Sequence, residues 1–273
     1  QHEEAIEIWQ GERSLVTWQI EAPELWHPDH PALYELRLHL STAQGESERR
    51  FKTAFRSFEF VEHGPFKLNG ERLLLRGTHR HEDHAGVAQA MTEAQIREEF
   101  RLMKEMGVNF IRLGHYQQSE LVLQLCDELG ILVWEEIPWC RGGLGSESYR
   151  EMCRRMLRNM IRQHRNHPSV IIWGLGNEND WPADFEDFDQ DAIRAFMSEL
   201  NELSHALDPA RKTAIRRCAF CADIVDVYSP SIWAGWYRGL YTEYKKAALD
   251  AIREHKHVLH VEWGGDNHAG RHT

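Results

Sequence analysis

Residues 108–136 read VNFIRLGHYQQSELVLQLCDELGILVWEE. A short apolar run (VNFIRLG, 108–114) is followed by a stretch from about Ser119 to Leu129 with apolar residues at helical spacing. Gly130 stops that stretch, and a second apolar run follows (ILVWEE, 131–136). The pattern is strand, helix, strand. It repeats in both directions. Upstream, LLLRG (73–77) reads as a buried strand. TEAQIREEFRLMKEMG (92–107) reads as a helix opened by a Thr92–Gln95 capping box, with Ile96, Phe100 and Met103 on one face and Gly107 as its stop. Downstream, a helix carrying Tyr149, Met152, Met156 and Met160 ends before Pro168, and SVIIWGLG (169–176) is the next strand. A long helix from about Asp184 to Leu207 buries Phe185, Phe188, Ile193, Phe196, Leu200 and Leu203. Shorter apolar runs follow at TAIR, IVDVYS and HVLHVEW, with a helix near residues 241–254 between the last two. Short apolar strands alternating with amphipathic helices imply a parallel sheet covered by helices. The class is α/β, and the closed solution nearest to seven such units is an eight-stranded (β/α)8 TIM barrel, incomplete in this chain. The absent eighth unit points to a chain cut after strand seven rather than to an open sheet.

Before residue 59 the rhythm is different. SLVTWQI places Val16, Trp18 and Ile20 on one face, LYELRLHL does the same with Leu36, Leu38 and Leu40, and RRFKTAFRSF continues with Phe51 and Phe55. Period-two runs separated by Pro- and Gly-containing turns predict part of a small immunoglobulin-like β sandwich over residues 1–58, ahead of barrel strands one to seven over 59–273.

The 273 residues carry 32 Lys plus Arg against 43 Asp plus Glu, a formal net charge of -11, which argues against a nucleic-acid partner. No apolar run approaches the roughly 18 residues of a membrane helix, so no membrane partner is expected. Five dispersed Cys favour reduced thiols and a cytoplasmic location, with the periplasm as the alternative had a signal preceded QHEEAIEIW. Cys218 and Cys221 form a C-x-x-C without the second pair or His pair that a zinc site needs. Ten Trp and 17 His suit either a sugar-binding cleft or an aromatic core.

In a (β/α) barrel the chemistry sits where each apolar strand meets its following loop. These junctions are polar here: RGTHRHEDH, RLGHY, WEEIPW, GLGNEND and HVEWGGDNHAGRH. Glu178 and Glu262 end strands four and seven, which lie on opposite sides of a barrel, so a sugar ring fits between them. A separation of about 5 to 5.5 Å would signal retaining glycoside hydrolysis, and roughly 6.5 to 9.5 Å inversion. A rival reading makes His79, His81 and His84, with Asp83, a metal site, but neither H-E-x-x-H nor a Cys-His set accompanies them.

These segments resemble glycoside hydrolase family 2, the β-galactosidases, β-glucuronidases and β-mannosidases. LWHPDHPALYELRLHL and FKTAFRSFEF are similar to the end of that family's immunoglobulin-like domain, and FKLNGERLLLRGTHRHEDH to its lead-in to the barrel. IIWGLGNEND resembles the strand-four signature, and VEWGGDNHAGRH the E-Y-G-x-D-x-x-A-G-x-H form of β-glucuronidases. The resemblance implies Glu178 as acid/base, Glu262 as nucleophile, Asn177 on the sugar 2-hydroxyl, and Arg112 on the nucleophile. It also implies sugar-binding and supporting roles for His81, Asp83, His115 and Glu136, and it requires a site that raises the Glu178 pKa. The E-T-H-G of metal-dependent members is replaced by I-P-W-C-R-G after Glu136, so no metal or other cofactor is expected. SPSIWAGWYRG resembles N-x-Y-x-G-W-Y, with Ser231 and Trp233 in place of Asn and Tyr; Trp233, Trp236, Tyr237 and Trp263 are candidate sugar contacts. Glu135, Trp139 and Trp173 are further cleft candidates, Trp173 more readily a core residue. The implied activity is a retaining exo-β-glycosidase on an oligosaccharide or glycoside, with β-galactosides first and β-glucuronides or β-mannosides next. The rival from another class is a non-catalytic carbohydrate-binding protein. A homo-oligomer is a further expectation.

Overall fold

The computed structural model describes residues 3–6, 11, 13–141, 143–182 and 188–263. Its centre is a six-stranded parallel sheet. In chain order the strands are β6 (Gly77–Arg80), β7 (Phe110–Leu113), β8 (Leu132–Glu136), β9 (Val170–Asn177), β10 (Lys212–Arg216) and β11 (Val227–Ser229), each paired with the next. The helices between them are α1 (Glu93–Glu105), α2 (Glu120–Leu129), α3 (Glu147–His164) and α4 (Gln190–Leu207), followed by α5 (Tyr244–Glu254). The Thr92–Gln95 capping box closes as its spacing predicts. Gly130 ends α2 at φ 72°, where a Cβ would lie 2.6 Å from the Pro28 Cα.

This is a TIM barrel domain. Strands β7 to β11 bury both faces, and period two assigns most of their residues to one side or the other. Ile111, Leu113, Val133, Trp173, Leu175 and Ile215 pack outward with the helices. Phe110, Leu132, Trp134, Ile172 and Ala214 pack inward, joined from below by Phe66 and Leu68. The latter two lie on β4 (Phe66–Leu68), which pairs antiparallel with β3 (Phe58–Phe60) and β5 (Glu71–Arg72). Along the same inward faces, Arg112, Glu136 and Arg216 follow toward the C-terminal ends, and a register shift between β9 and β10 after Gly174 turns Asn177 to their side, so that the four supply the site.

Three expectations shift. The first barrel strand is Gly77–Arg80 rather than residues 73–77. The leucine run is half-exposed, and it is Gly77, whose missing Cβ leaves room for the Phe110 carbonyl, that pairs with β7. The seventh run makes one parallel bridge, Tyr228 to Val258, so the described sheet has six strands and that bridge. The fourth helix begins at Gln190, capped by Asp189, whereas Phe185 lies outside the described residues.

Ahead of the barrel the chain is β-rich. β1 (Tyr34–Thr42) and β2 (Gly45–Thr53) form an antiparallel hairpin whose Leu36, Leu38, Leu40 and Phe51 remain exposed, because a two-stranded ribbon has nothing to bury its apolar face against. SLVTWQI forms no strand, since no described segment offers it a ladder, and Val16, Trp18 and Ile20 are exposed. Trp26 ties this region to the barrel: it is fully buried and its Nε1 donates to the Asp127 carbonyl at 2.9 Å. Arg56 adds donations to the Pro168 and Val170 carbonyls. Among the described residues, no helix is long and apolar enough to cross a membrane.

Candidate active site

Arg112 is the hub at the C-terminal ends of the strands. Fully buried, it grips Glu136 with Nε at 3.0 Å and Nη2 at 2.9 Å, donates Nη2 to Asn177 Oδ1 at 2.7 Å, and donates Nη1 to Glu262 Oε1 at 3.1 Å. Glu136 also meets His115 Nδ1 at 2.6 Å and the Trp134 indole N–H at 2.8 Å. Burial pushes the Glu136 carboxyl up. The Arg112 charge and the His115 and Arg112 hydrogen bonds outweigh it and hold its pKa at about 2. Glu136 therefore fixes the arginine that touches Glu262.

A second buried arginine joins the two glutamates. Arg216, ending β10, contacts Glu178 Oε1 through Nη1 and Glu262 Oε2 through Nη2. The Glu178 backbone, at a left-handed φ of 54°, donates its N–H to the Arg216 carbonyl at 3.0 Å, so residue and partner are locked together. Trp181 Nε1 donates to the other Glu178 oxygen at 2.9 Å. Burial raises the Glu178 pKa, but Arg216, Trp181 and Arg217 lower it more, so the carboxyl lies below its ordinary value. The direction is opposite to the upward shift expected of an acid, because Arg216 lies beside Glu178.

The histidines also rearrange. His79, His81 and His115 bring ligand atoms within 4.8 Å of one another. His84 is not part of the group and instead contacts Gln95 and the Ala85 carbonyl. Burial foremost, then the Arg112 charge, pulls the His79 pKa down to about 3, and His81 is lowered for the same first reason. Neutral imidazoles can ligate a metal, but Arg112 nitrogens sit 3.4 Å from His79 Nδ1 and 3.3 Å from His115 Nδ1 and oppose a second cation there. Asp83 is exposed on the same loop, with no hydrogen bond or ion pair among the described residues. Cys218 and Cys221 are free, buried thiols.

The aromatic candidates divide. Trp233 stands under the Arg216 guanidinium, 5.8 Å from its ring centroid, and so borders the site. Trp236 stacks on the exposed Tyr237 at 4.1 Å, and Tyr237 meets Trp233 edge-on at 5.3 Å. Trp263 is exposed near Tyr244. Glu135, Trp139 and Trp173 lie outside the cleft. Strand parity turns Glu135 outward, where His164 Nδ1 meets it at 2.9 Å; Trp139 packs on Phe196, and Trp173 donates to Asp208. Arg216, Trp181 and Arg217 were missed. For Arg216 the signal was present, because it is the polar residue closing the TAIR run and shares the inward parity of Ala214.

The chain as a whole has counterparts among known proteins. Residues 60–273 match the model of the glycosyl hydrolases family 2 TIM barrel domain, and residues 1–56 match a second glycosyl hydrolases family 2 model. The chain belongs to glycoside hydrolase family 2. A putative beta-glucuronidase of Formosa agariphila is 52% identical to this family 2 chain over 257 residues, covering 93% of the chain and 31% of that protein. A beta-galactosidase of Thermoanaerobacter pseudethanolicus is 38% identical over 199 residues, covering 71% of the chain and 25% of that protein. The crystal structure of Parabacteroides merdae beta-glucuronidase superposes with a TM-score of 0.91 at 66% identity, covering 93% of the chain and 33% of that structure. The chain thus spans between a quarter and a third of the length of these relatives.

Proposed function

We propose that the protein is a retaining β-glucuronidase in which Glu262 attacks the anomeric carbon and Glu178 protonates the departing oxygen. The observation that carries the mechanism is Arg216: one planar guanidinium contacts both carboxylates and so holds nucleophile and acid together at the barrel mouth, as a double displacement needs. Arg112, itself fixed by Glu136, keeps Glu262 oriented for attack. Asn177 Nδ2 rests on the Cys140 sulfur at 3.4 Å, a weak acceptor that a sugar 2-hydroxyl can replace. Glu178 must gain a proton before it can act as acid, so substrate binding has to loosen its contact with Arg216. It then serves as base toward the water that releases the sugar.

For the sugar, the strongest similarities reported above are to β-glucuronidases, at 52% and 66% identity, against 38% for the β-galactosidase; they support the glucuronide over the galactoside that the sequence reading placed first. The test is initial hydrolysis rates of the full-length protein on p-nitrophenyl β-glucuronide, β-galactoside, β-mannoside and β-glucoside, each beside Glu262→Gln. The glucuronide should lead by at least about tenfold and its turnover should vanish in the variant. A leading galactoside would overturn the sugar assignment, and turnover that survives in Glu262→Gln would overturn the mechanism.

A further inference from the structure

Beside Glu178 lies a cluster of guanidinium groups and indole faces centred on Arg217. Arg217 directly follows the bridging Arg216 and holds a left-handed φ of 58°. Its guanidinium carbon stands 4.0 Å from the Trp181 ring centroid and 5.3 Å from that of Trp233. Arg141 stands 4.8 Å from the Trp181 centroid and Arg238 5.9 Å from that of Trp233. In a chain of net charge -11, this gathers guanidinium groups and indole faces at one place.

Among the buried polar atoms here without a hydrogen-bond partner in the described residues, Arg217 Nη1, Trp233 Nε1 and Ser231 Oγ can donate, and Asp180 Oδ1, on the carboxylate paired with Arg217, accepts. Ser231 and Trp233 are also the two positions at which this loop departs from the family pattern, so the departure and the unsatisfied donors coincide. Buried donors without acceptors cost roughly 1 to 3 kcal/mol each, and a ligand that supplies acceptors recovers that cost. Indole flanks keep water from the guanidinium and strengthen its pull on an anion.

The position relative to the reacting groups fixes which sugar would meet the cluster. Arg217 pairs with Asp180 at 3.2 Å and comes within 3.8 Å of Glu178, whereas Glu262 is held by Arg112 and Arg216. The side of Glu178 is the side of the departing oxygen, hence of the sugar beyond the scissile bond. Charge balance points the same way. When Glu178 is protonated to act as acid, Arg216 and Arg217 each lose one carboxylate partner. A negative group on the substrate restores the balance in the very state that cleaves the bond.

We propose that Arg217, set between Trp181 and Trp233, forms an aglycone-side subsite for an oxyanion, a carboxylate or sulfate ester carried by the sugar next to the scissile bond. The natural substrate is then an acidic glycan trimmed one residue at a time, rather than a glycoside of a neutral aglycone. This rests on the assignment of Glu178 as the group that protonates the departing oxygen.

The test uses the full-length protein and three disaccharides with the same linkage and the same terminal sugar, the one the p-nitrophenyl series selects. They differ only in the second sugar, which is neutral, a uronic acid, or a sulfate ester. At low ionic strength, kcat/KM for at least one acidic disaccharide should exceed that for the neutral one by about tenfold or more. The larger of the two identifies the source of the oxyanion. The preference should shrink as salt rises and fall to within about twofold in Arg217→Gln, with Arg217→Lys keeping part of it. Should Arg217→Gln fail to fold, the salt dependence of the wild-type ratio and Trp233→Tyr give the same reading. Turnover of the neutral disaccharide at the same rate as both acidic ones overturns the subsite and leaves the glycosidase assignment standing. No turnover of any disaccharide or p-nitrophenyl glycoside overturns both.

Discussion

Replacing Arg112 with Met should destabilise the barrel mainly through Glu136, not through the arginine's own packing. Both side chains are fully buried, and the pair holds the Glu136 pKa at about 2 against an ordinary 4.5. At about 1.4 kcal/mol per tenfold change that gap is worth roughly 3 kcal/mol, the size expected when one partner of a buried ion pair is removed. Glu136→Gln should lower the cost of losing Arg112, because no charge is then stranded. The coupling energy across the Arg112→Met and Glu136→Gln cycle should therefore be about 2 to 3 kcal/mol. Urea unfolding of the full-length protein, read by tryptophan fluorescence, supplies the midpoints, and Trp134, 5.5 Å from the Arg112 guanidinium, lies at the reporting spot. The pH dependence has a definite sign. A carboxyl depressed by folding contributes stability that is complete above about pH 4.5 and is lost as pH falls toward 2. Wild type should lose that increment on acidification and Glu136→Gln should not. Additive single-variant effects within about 0.5 kcal/mol, or an unchanged acid slope in Glu136→Gln, would refute the account.

Glu178→Ala should slow hydrolysis of alkyl glycosides by at least about a hundredfold while sparing aryl glycosides with good leaving groups, because only the former need the departing oxygen protonated; equal losses in steady-state kinetics would count against its role. Gly130→Ala should lower the melting temperature by several degrees without changing kcat, since the left-handed backbone and the Pro28 backbone leave no room for a methyl group.

Much of the barrel could be read before any coordinates because its signals are local. The Thr92 and Ser119 helix starts, the Gly130 stop and the apolar runs each follow from a few adjacent residues. Glu178 and Glu262 were legible for a related reason, as carboxylates closing apolar strands, and Asn177 and Arg112 through the resemblance to family 2. What escaped depends on the sense of a side chain or on partners far along the chain. Glu135 and Glu136 are neighbours in sequence, yet parity sends one to His164 and the other to Arg112. His115 replaced His84 beside His79 because the adjacent strand, not the same loop, supplies the third imidazole. The direction of the Glu178 pKa turned on Arg216, 38 residues away. The exposed strands of the first 58 residues show the limit of period-two patterns, which announce an apolar face without saying what covers it.

β9 gives up side chains where its neighbours need space. Without a Cβ at Gly174, the strand makes room for the Glu136 side chain and the Trp134 indole, and without one at Gly176 it admits the Asn179 amide. Such a strand has little freedom to drift, since a methyl at Gly174 collides with the wiring behind Arg112 and one at Gly176 with Asn179. Room for a change in substrate choice is thereby left to the loops, such as the one that carries Ser231, rather than to the strands that hold the pair of glutamates.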